Sequence, residues 1–291
     1  MLDVQDDTGD LTRIRFAARF EVDQHHAEQT GELTPLESLV TKAKRHLGPT
    51  DYLTFRIECG LEEVRSRRRA AAASADAWDD LYLRASAHLN RLDRVLMRIE
   101  SFHAQYTRRR GDIEGGIQLY RDALAKRSEA LGENTYDTHM TRGNLAFALL
   151  DSGEPAYLDE ALAILEAEVS YRTTEYGPES EFACRAAGNL GRALVRRYER
   201  DVHDGVAEPD TGSLHRALAI ATEQISIRDR RNGRTDAFTS NAHLLRAHAL
   251  LLLDRRDDAR TELKFVAAVV EGRRVPVEQD WLAELTARLE Q

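Results

Sequence analysis

The chain is poor in several features that would mark other classes of protein. It has two cysteines, six prolines and only four lysines in 291 residues. Cys59 and Cys184 stand 125 residues apart, which is neither a disulfide framework nor a zinc-ligand spacing. Two small buried thiols are the plain reading. The longest apolar stretch, near Leu244–Leu253, is broken by Arg246 and His248. It falls well short of the roughly 18 residues that a membrane-spanning helix needs. The first residues, Met1-Leu2-Asp3-Val4-Gln5-Asp6-Asp7, are acidic where a secretory leader would be basic and then apolar. A cytoplasmic location is the expectation. Strand-like alternation is missing too, while Ala, Leu, Arg and Glu dominate. That combination predicts an all-α protein.

Charge is unevenly supplied. The net charge of −9 argues against nucleic acid as the main partner. Of 41 basic residues, 37 are arginine. Genome composition alone can produce such a bias, but guanidinium groups also bind carboxylates and phosphates bidentately, which lysine cannot do.

Repetition is visible in the punctuation. Leu47-Gly48-Pro49, Leu131-Gly132-Glu133, Tyr176-Gly177-Pro178 and Asn232-Gly233-Arg234 each separate two amphipathic patterns, as helix-terminating glycines do. Their glycines lie 84, 45 and 56 residues apart. These gaps are twice 42, which implies one degenerate repeat in between, then 42 with insertions of three and 14. Small residues recur in register at Ala104, Ala146, Gly191 and Ala247, followed by Gly116, Ala161, Ala217 and Ala259. Small side chains at such positions let antiparallel helices approach closely across a short turn.

Gly111-Asp112-Ile113-Glu114-Gly115-Gly116-Ile117 resembles the turn and second-helix start of a tetratricopeptide repeat. The run from Leu131-Gly132-Glu133-Asn134 to Gly143-Asn144-Leu145-Ala146 is similar to the 42-residue variant of kinesin light chains and many bacterial proteins. Tyr176-Gly177-Pro178-Glu179 through Gly188-Asn189-Leu190-Gly191 repeats it. The resemblance covers about residues 90–271. Over 13–90 it is partial, with Gln24 and Glu62 where small residues belong. It implies a right-handed superhelix of five to six antiparallel helix pairs closed by a C-terminal capping helix. The pairs are expected at 13–29 with 35–46, 51–69 with 76–90, 91–109 with 112–130, 137–152 with 157–175, 179–199 with 212–230, and 235–253 with 256–271. Residues 1–10 are expected to be disordered, 11–90 to form degenerate helical repeats, 91–271 the clear repeats, and 275–291 the cap. Tyr198–Ser213 reads as a long acidic loop.

In such a stack the first helices line a concave groove. With the small residue as a ruler, groove positions are Arg98, Ser101, Gln105, Arg108 and Arg109, then Met140, Gly143, Phe147, Leu150 and Asp151. Arg185, Gly188, Arg192, Val195 and Arg196 follow, then Asn241, Leu244, His248, Leu251 and Leu252; Arg56, Glu63 and Arg67 join from the second repeat. Asn144 and Asn189 stand where the resemblance places amides that hold a ligand's backbone. The groove is expected to be basic in its middle and apolar toward its C-terminal end. Such a surface suits an acidic peptide, a carboxylate or a phosphorylated ligand, unless neighbouring acids pair with the arginines.

Catalytic and metal motifs are weak. Glu100-Ser101-Phe102-His103 has the spacing of a di-iron helix, but no second copy exists. His25, His26 and Glu28 read as an exposed helix face, and Asp201-Val202-His203-Asp204 lacks a rigid ligand framework. No nucleophile elbow or phosphate-cradling loop occurs. No catalytic residue, metal or cofactor is therefore expected. The leading reading is a peptide- or protein-binding adaptor with an acidic partner and no membrane association. The alternative is a ligand-sensing regulatory module acting on a separate effector chain. A third is an enzyme on this scaffold, using His103, His139 or His248.

Overall fold

The computed structural model describes residues 7–67, 70–231, 233, 237–271 and 276–290, and among these every regular element is a helix. The chain divides into two compact units, 1–148 and 149–291. The first holds α1 (Asp7–Thr30), α2 (Thr34–His46), α3 (Tyr52–Ser66), α4 (Ala71–His88), α5 (Arg94–Arg109) and α6 (Ile113–Leu131). Helix α7 (Tyr136–Asp151) contains the boundary. The second unit holds α8 (Pro155–Tyr176), α9 (Glu181–His203), α10 (Thr211–Arg231), α11 (Ala237–Leu252), α12 (Arg256–Val270) and α13 (Pro276–Glu290).

The repeat length is visible in the helix starts. Helices α3, α5 and α7 begin 42 residues apart, α9 follows 45 later and α11 another 56. From α1 to α6 in the first unit and from α8 to α13 in the second, each helix packs on its neighbours in sequence, and in each unit a second set of contacts links alternate helices. In the first unit α1 meets α3 and α3 meets α5; in the second α9 meets α11 and α11 meets α13. The odd-numbered helices of a unit therefore form a continuous layer.

Local chemistry explains where the helices stop and start. Gly48, Gly132, Gly177 and Gly233 all have φ between +83° and +98°, a region that side chains avoid. At three of these turns a buried threonine in the next helix donates its hydroxyl back to the glycine carbonyl. The bonds are Thr54 to Gly48 at 2.8 Å, Thr138 to Gly132 at 2.9 Å and Thr239 to Gly233 at 3.2 Å. At Gly177, Ser180 does the same at 2.8 Å and also caps α9 through Ala183 N. The degenerate junction before α5 has no glycine. There the Asp93 carboxylate accepts from Asn90 N and the Asn90 side-chain oxygen accepts from Leu92 N, which closes the turn.

Packing follows the small residues. A side chain at Gly116 would lie 2.8 Å from the Ala104 carbonyl and 2.7 Å from Arg108 Cβ, so α5 and α6 cross where only glycine fits. Trp78 is fully buried, stacks on Phe102 with centroids 4.7 Å apart, and donates to Ser66 Oγ at 2.9 Å. Cys59 and Cys184 are both buried free thiols, and burial pushes Cys59 up to about 12.

Two expectations are corrected. Residues Tyr198–His203 are the last turns of α9, so the expected acidic loop shrinks to 204–210. Asp7–Asp10, expected to be disordered, belong to α1, while residues 1–6 lie outside the described residues.

The contrast between two helical glycines gives a test. Gly188 has open space around its missing side chain, whereas Gly116 has none. Gly188→Ala should therefore stabilise the fold by about 0.5–1 kcal/mol, and Gly116→Ala should destabilise it by about 1–3 kcal/mol. Denaturant titration followed by circular dichroism reads both.

Candidate functional site

The expected groove arginines are not equally available. In the first unit, Arg98 and Arg67 both pair with Glu63, Arg67 at 3.2 Å, and Arg56 pairs with Glu21. Burial works against the charge of Arg98, yet Glu63 more than offsets this and raises its pKa. Arg108 lies over the exposed ring of Phe147, 5.9 Å from its centroid, and Arg109 lies over Tyr106 at 5.3 Å. Gln105 and Asn144 are half-buried. The first unit thus neutralises much of its own basic face.

The second unit does otherwise. On α9, Arg185, Asn189, Arg192, Arg196 and Glu199 follow one another at steps of four, three, four and three residues, which places them along one helix face. Arg185 is exposed and Asn189 half-buried. Arg192 projects over the indole of Trp281 on α13, its Cζ 5.5 Å from the ring centroid. Arg196 donates from Nη1 to the carbonyl of Leu150. Neither arginine forms an ion pair among the described residues. Burial, and then the neighbouring Arg196, lower the pKa of Arg192, with Asp151 acting in the opposite sense. Two guanidinium groups are held together on one face and partly stripped of water, a costly arrangement without an anion.

Glu199 ends the row and ties three helices. Its Oε1 is 3.0 Å from His248 Nε2 on α11 and accepts from Nη1 of Arg288 on α13. Burial alone would raise this carboxyl, but the bonds to His248 and Arg288 dominate and hold it at about 2. Trp281 stands edge-on to His248, with centroids 6.2 Å apart.

Helix α13 also revises the expected apolar end of the groove. Leu244 and Leu251 belong to a cluster with Leu285, Trp281, Leu282 and Leu289, so the apolar face of α11 is covered by α13. His248 is buried and engaged by Glu199, while Asn241 remains half-buried. The arginine row was legible as helical spacing. Glu199 was not, because the ruler stopped at Arg196, one turn short. Trp281 and Arg288 lie within the expected cap, and sequence spacing carries no sign of their contacts with Arg192 and Glu199, each 89 positions away.

The weaker motifs find ordinary partners. Glu100 pairs with Arg127 at 3.0 Å, whereas His103 lies 2.9 Å from Asp79 and stacks on Tyr82, so the two do not converge. His139 and His243 are buried, and His243 Nδ1 meets Glu262 at 2.6 Å. Among the described residues no group of three or more His, Cys, Asp or Glu is placed to share a metal ion. None of the described helices is long and apolar enough to cross a membrane. Two hollows lie elsewhere. One of about 630 Å³ beside α10 is lined by Leu218, Thr222, Ile227 and Arg230. The other, about 420 Å³ among α2, α3 and α4, is crossed by the Lys44–Glu58–Arg84 ion pairs.

No protein-family profile and no curated protein matches the sequence. Among solved structures, one from Podosopora anserina with kinesin light chain TPR-like repeats is 14% identical, with a TM-score of 0.55 over 76% of this chain and 97% of that one. BtubC (BKLC) from P. vanneervenii is 15% identical, with a TM-score of 0.56 over 92% of both chains. What these share with the present chain is architecture. The chain has the all-α fold of the tetratricopeptide-repeat solenoids.

The Glu199 knot yields a pH prediction. A carboxylate held below its unfolded value stabilises the fold at neutral pH, and that contribution is lost as pH falls from about 4.5 to about 2. Glu199→Gln should cost about 2 kcal/mol at pH 7. Its stability deficit against wild type should narrow through that acid window, measured by denaturant titration at each pH.

Proposed function

We propose that this chain is a binding scaffold that takes up an acidic or carboxylate-bearing protein segment on the α9 face of its second unit. The carrying observation is the Arg192–Arg196 pair, two guanidiniums on one face with no ion-paired acid among the described residues. A ligand carboxylate bridging them would relieve their repulsion and make short, charge-assisted hydrogen bonds. Trp281 keeps Arg192 extended beneath such a ligand, which reduces the side-chain entropy lost on binding. Asn189, one turn before Arg192, offers both a donor and an acceptor to a peptide backbone. The solenoid fold supports the same reading, because stacked helix pairs present extended surfaces. Arg98, Arg67 and Arg56 of the first unit, already paired with Glu63 and Glu21, are assigned no such role.

Selection from a random peptide library with free C-terminal carboxylates tests this directly. Asp and Glu should be enriched, and the enriched peptides should bind more weakly as salt rises. An Arg192→Gln/Arg196→Gln variant should lose about tenfold or more in affinity, the equivalent of one charged hydrogen bond, while keeping its melting temperature near wild type. Enrichment without acidic bias, or equal binding by the variant, would refute the assignment.

A further inference from the structure

The exposed large apolar side chains are mostly scattered singly, with one exception. Leu11, Ile14 and Val22, exposed by 51%, 62% and 62%, all lie on α1. With exposed Ala18 they follow at steps of three, four and four residues, which makes a single stripe. The opposite face of the same helix, through Phe16, Phe20, Asp23 and Ala27, packs into the first unit. Helix α1 is thus apolar on both sides, and the described residues cover only one of them. The far end of the chain differs, for there α13 covers α11.

The borders of the stripe carry opposite charges. At 100° per residue, Asp10, Glu21 and Glu28 fall along one border and Arg15, Arg19 and His26 along the other. Arg19 is engaged by buried Asp23, and at the exposed surface Glu21 is engaged by Arg56 and His26 by Glu32. Asp10 and Arg15 are exposed and have no ion-pair partner among the described residues. This asymmetry selects a partner and an orientation. Two antiparallel copies of α1 would set the acidic border against its own kind, and the basic border likewise. Two parallel copies in register place each acidic border on the other's basic border. In that register Asp10 faces Arg15 of a second copy, and Glu21 faces His26, both at the five-residue offset of parallel two-stranded coils.

We propose that the outward face of α1 is a self-association surface on which a second copy of the chain packs its own α1, parallel and in register. Leu11, Ile14, Ala18 and Val22 form the seam and the Asp10–Arg15 pairs fix the direction. The seam is about 16 Å long at 1.5 Å per residue, and it buries less than a standard interface, so association is weak and concentration-dependent. The inference stands apart from the ligand reading, since no residue is shared between them.

Sedimentation velocity on the full chain, from low to high micromolar concentration, should show a mass that rises and saturates at two chains. Ile14→Asp should abolish the rise. Arg15→Asp should weaken it by setting acids against acids, and the exchange Asp10→Arg/Arg15→Asp should restore it, which a merely structural role would not do. Leu11→Cys should cross-link to its own copy under mild oxidation, with Cys59 and Cys184 too buried to compete. A chain that stays monomeric, a mass that grows beyond two, association indifferent to Ile14→Asp, or a Leu11→Cys chain that does not cross-link would each overturn the proposal. The melting temperature of each variant separates these results from misfolding.

Discussion

Close approach of neighbouring helices at small residues is the constraint on which the rest of this structure depends. Gly116 leaves room for the backbone of α5, Gly191 for Leu245 of α11, and Gly60 for the ring of Phe20 on α1. A single methyl at any of these sites would meet atoms at 2.5–2.8 Å. At Gly60 and Gly191 the side chains of Phe20 and Leu245 would have to move, and at Gly116 the backbone of α5 itself. Because α9 sits so close to α11, Glu199 can reach His248 and Arg288 together. That knot brings Trp281 under Arg192. The position of the arginine pair is therefore a consequence of helix spacing set by residues that have no chemistry of their own.

Much of this architecture was legible in one sequence because repetition multiplies weak signals. A single Gly-Pro or Gly-Glu says little, but four glycines spaced by twice 42 or by 42 with insertions of three and 14, each after an amphipathic pattern, set the helix punctuation. Their positive φ values and the threonine bonds that close three of the turns give the physical reason for the repeat. The long insertion was harder to read. Tyr198–His203 is mostly polar and carries Glu199 and Asp201, which looks like a loop, yet Arg200 satisfies Asp159 and Asp201 and the helix continues.

The candidate site was legible as residue types and opaque as energetics. Eight arginines at groove spacing are equivalent on a helical ruler. In the folded chain Arg98 and Arg67 share Glu63, while Arg192 and Arg196 have each other. What separates them is the distribution of acids on neighbouring helices, a property of tertiary contact that periodicity does not encode. The apolar surface predicted at the end of the groove met the same limit. Leu244 and Leu251 are apolar because α13 covers them. Apolar residues facing a groove and apolar residues beneath a cap have the same spacing.

An anionic segment held by the proposed Arg192–Arg196 site would lie along α9 and against α13. Hydrogen–deuterium exchange of the full chain, with and without an aspartate-rich peptide bearing a free C-terminal carboxylate, tests it most directly. Backbone amides slow where a bound ligand suppresses local opening. The account predicts added protection in Glu181–His203 and in the helix that carries Trp281, with α10 and α12 unchanged. Protection centred on the hollow beside α10, or on the first unit alone, would contradict it.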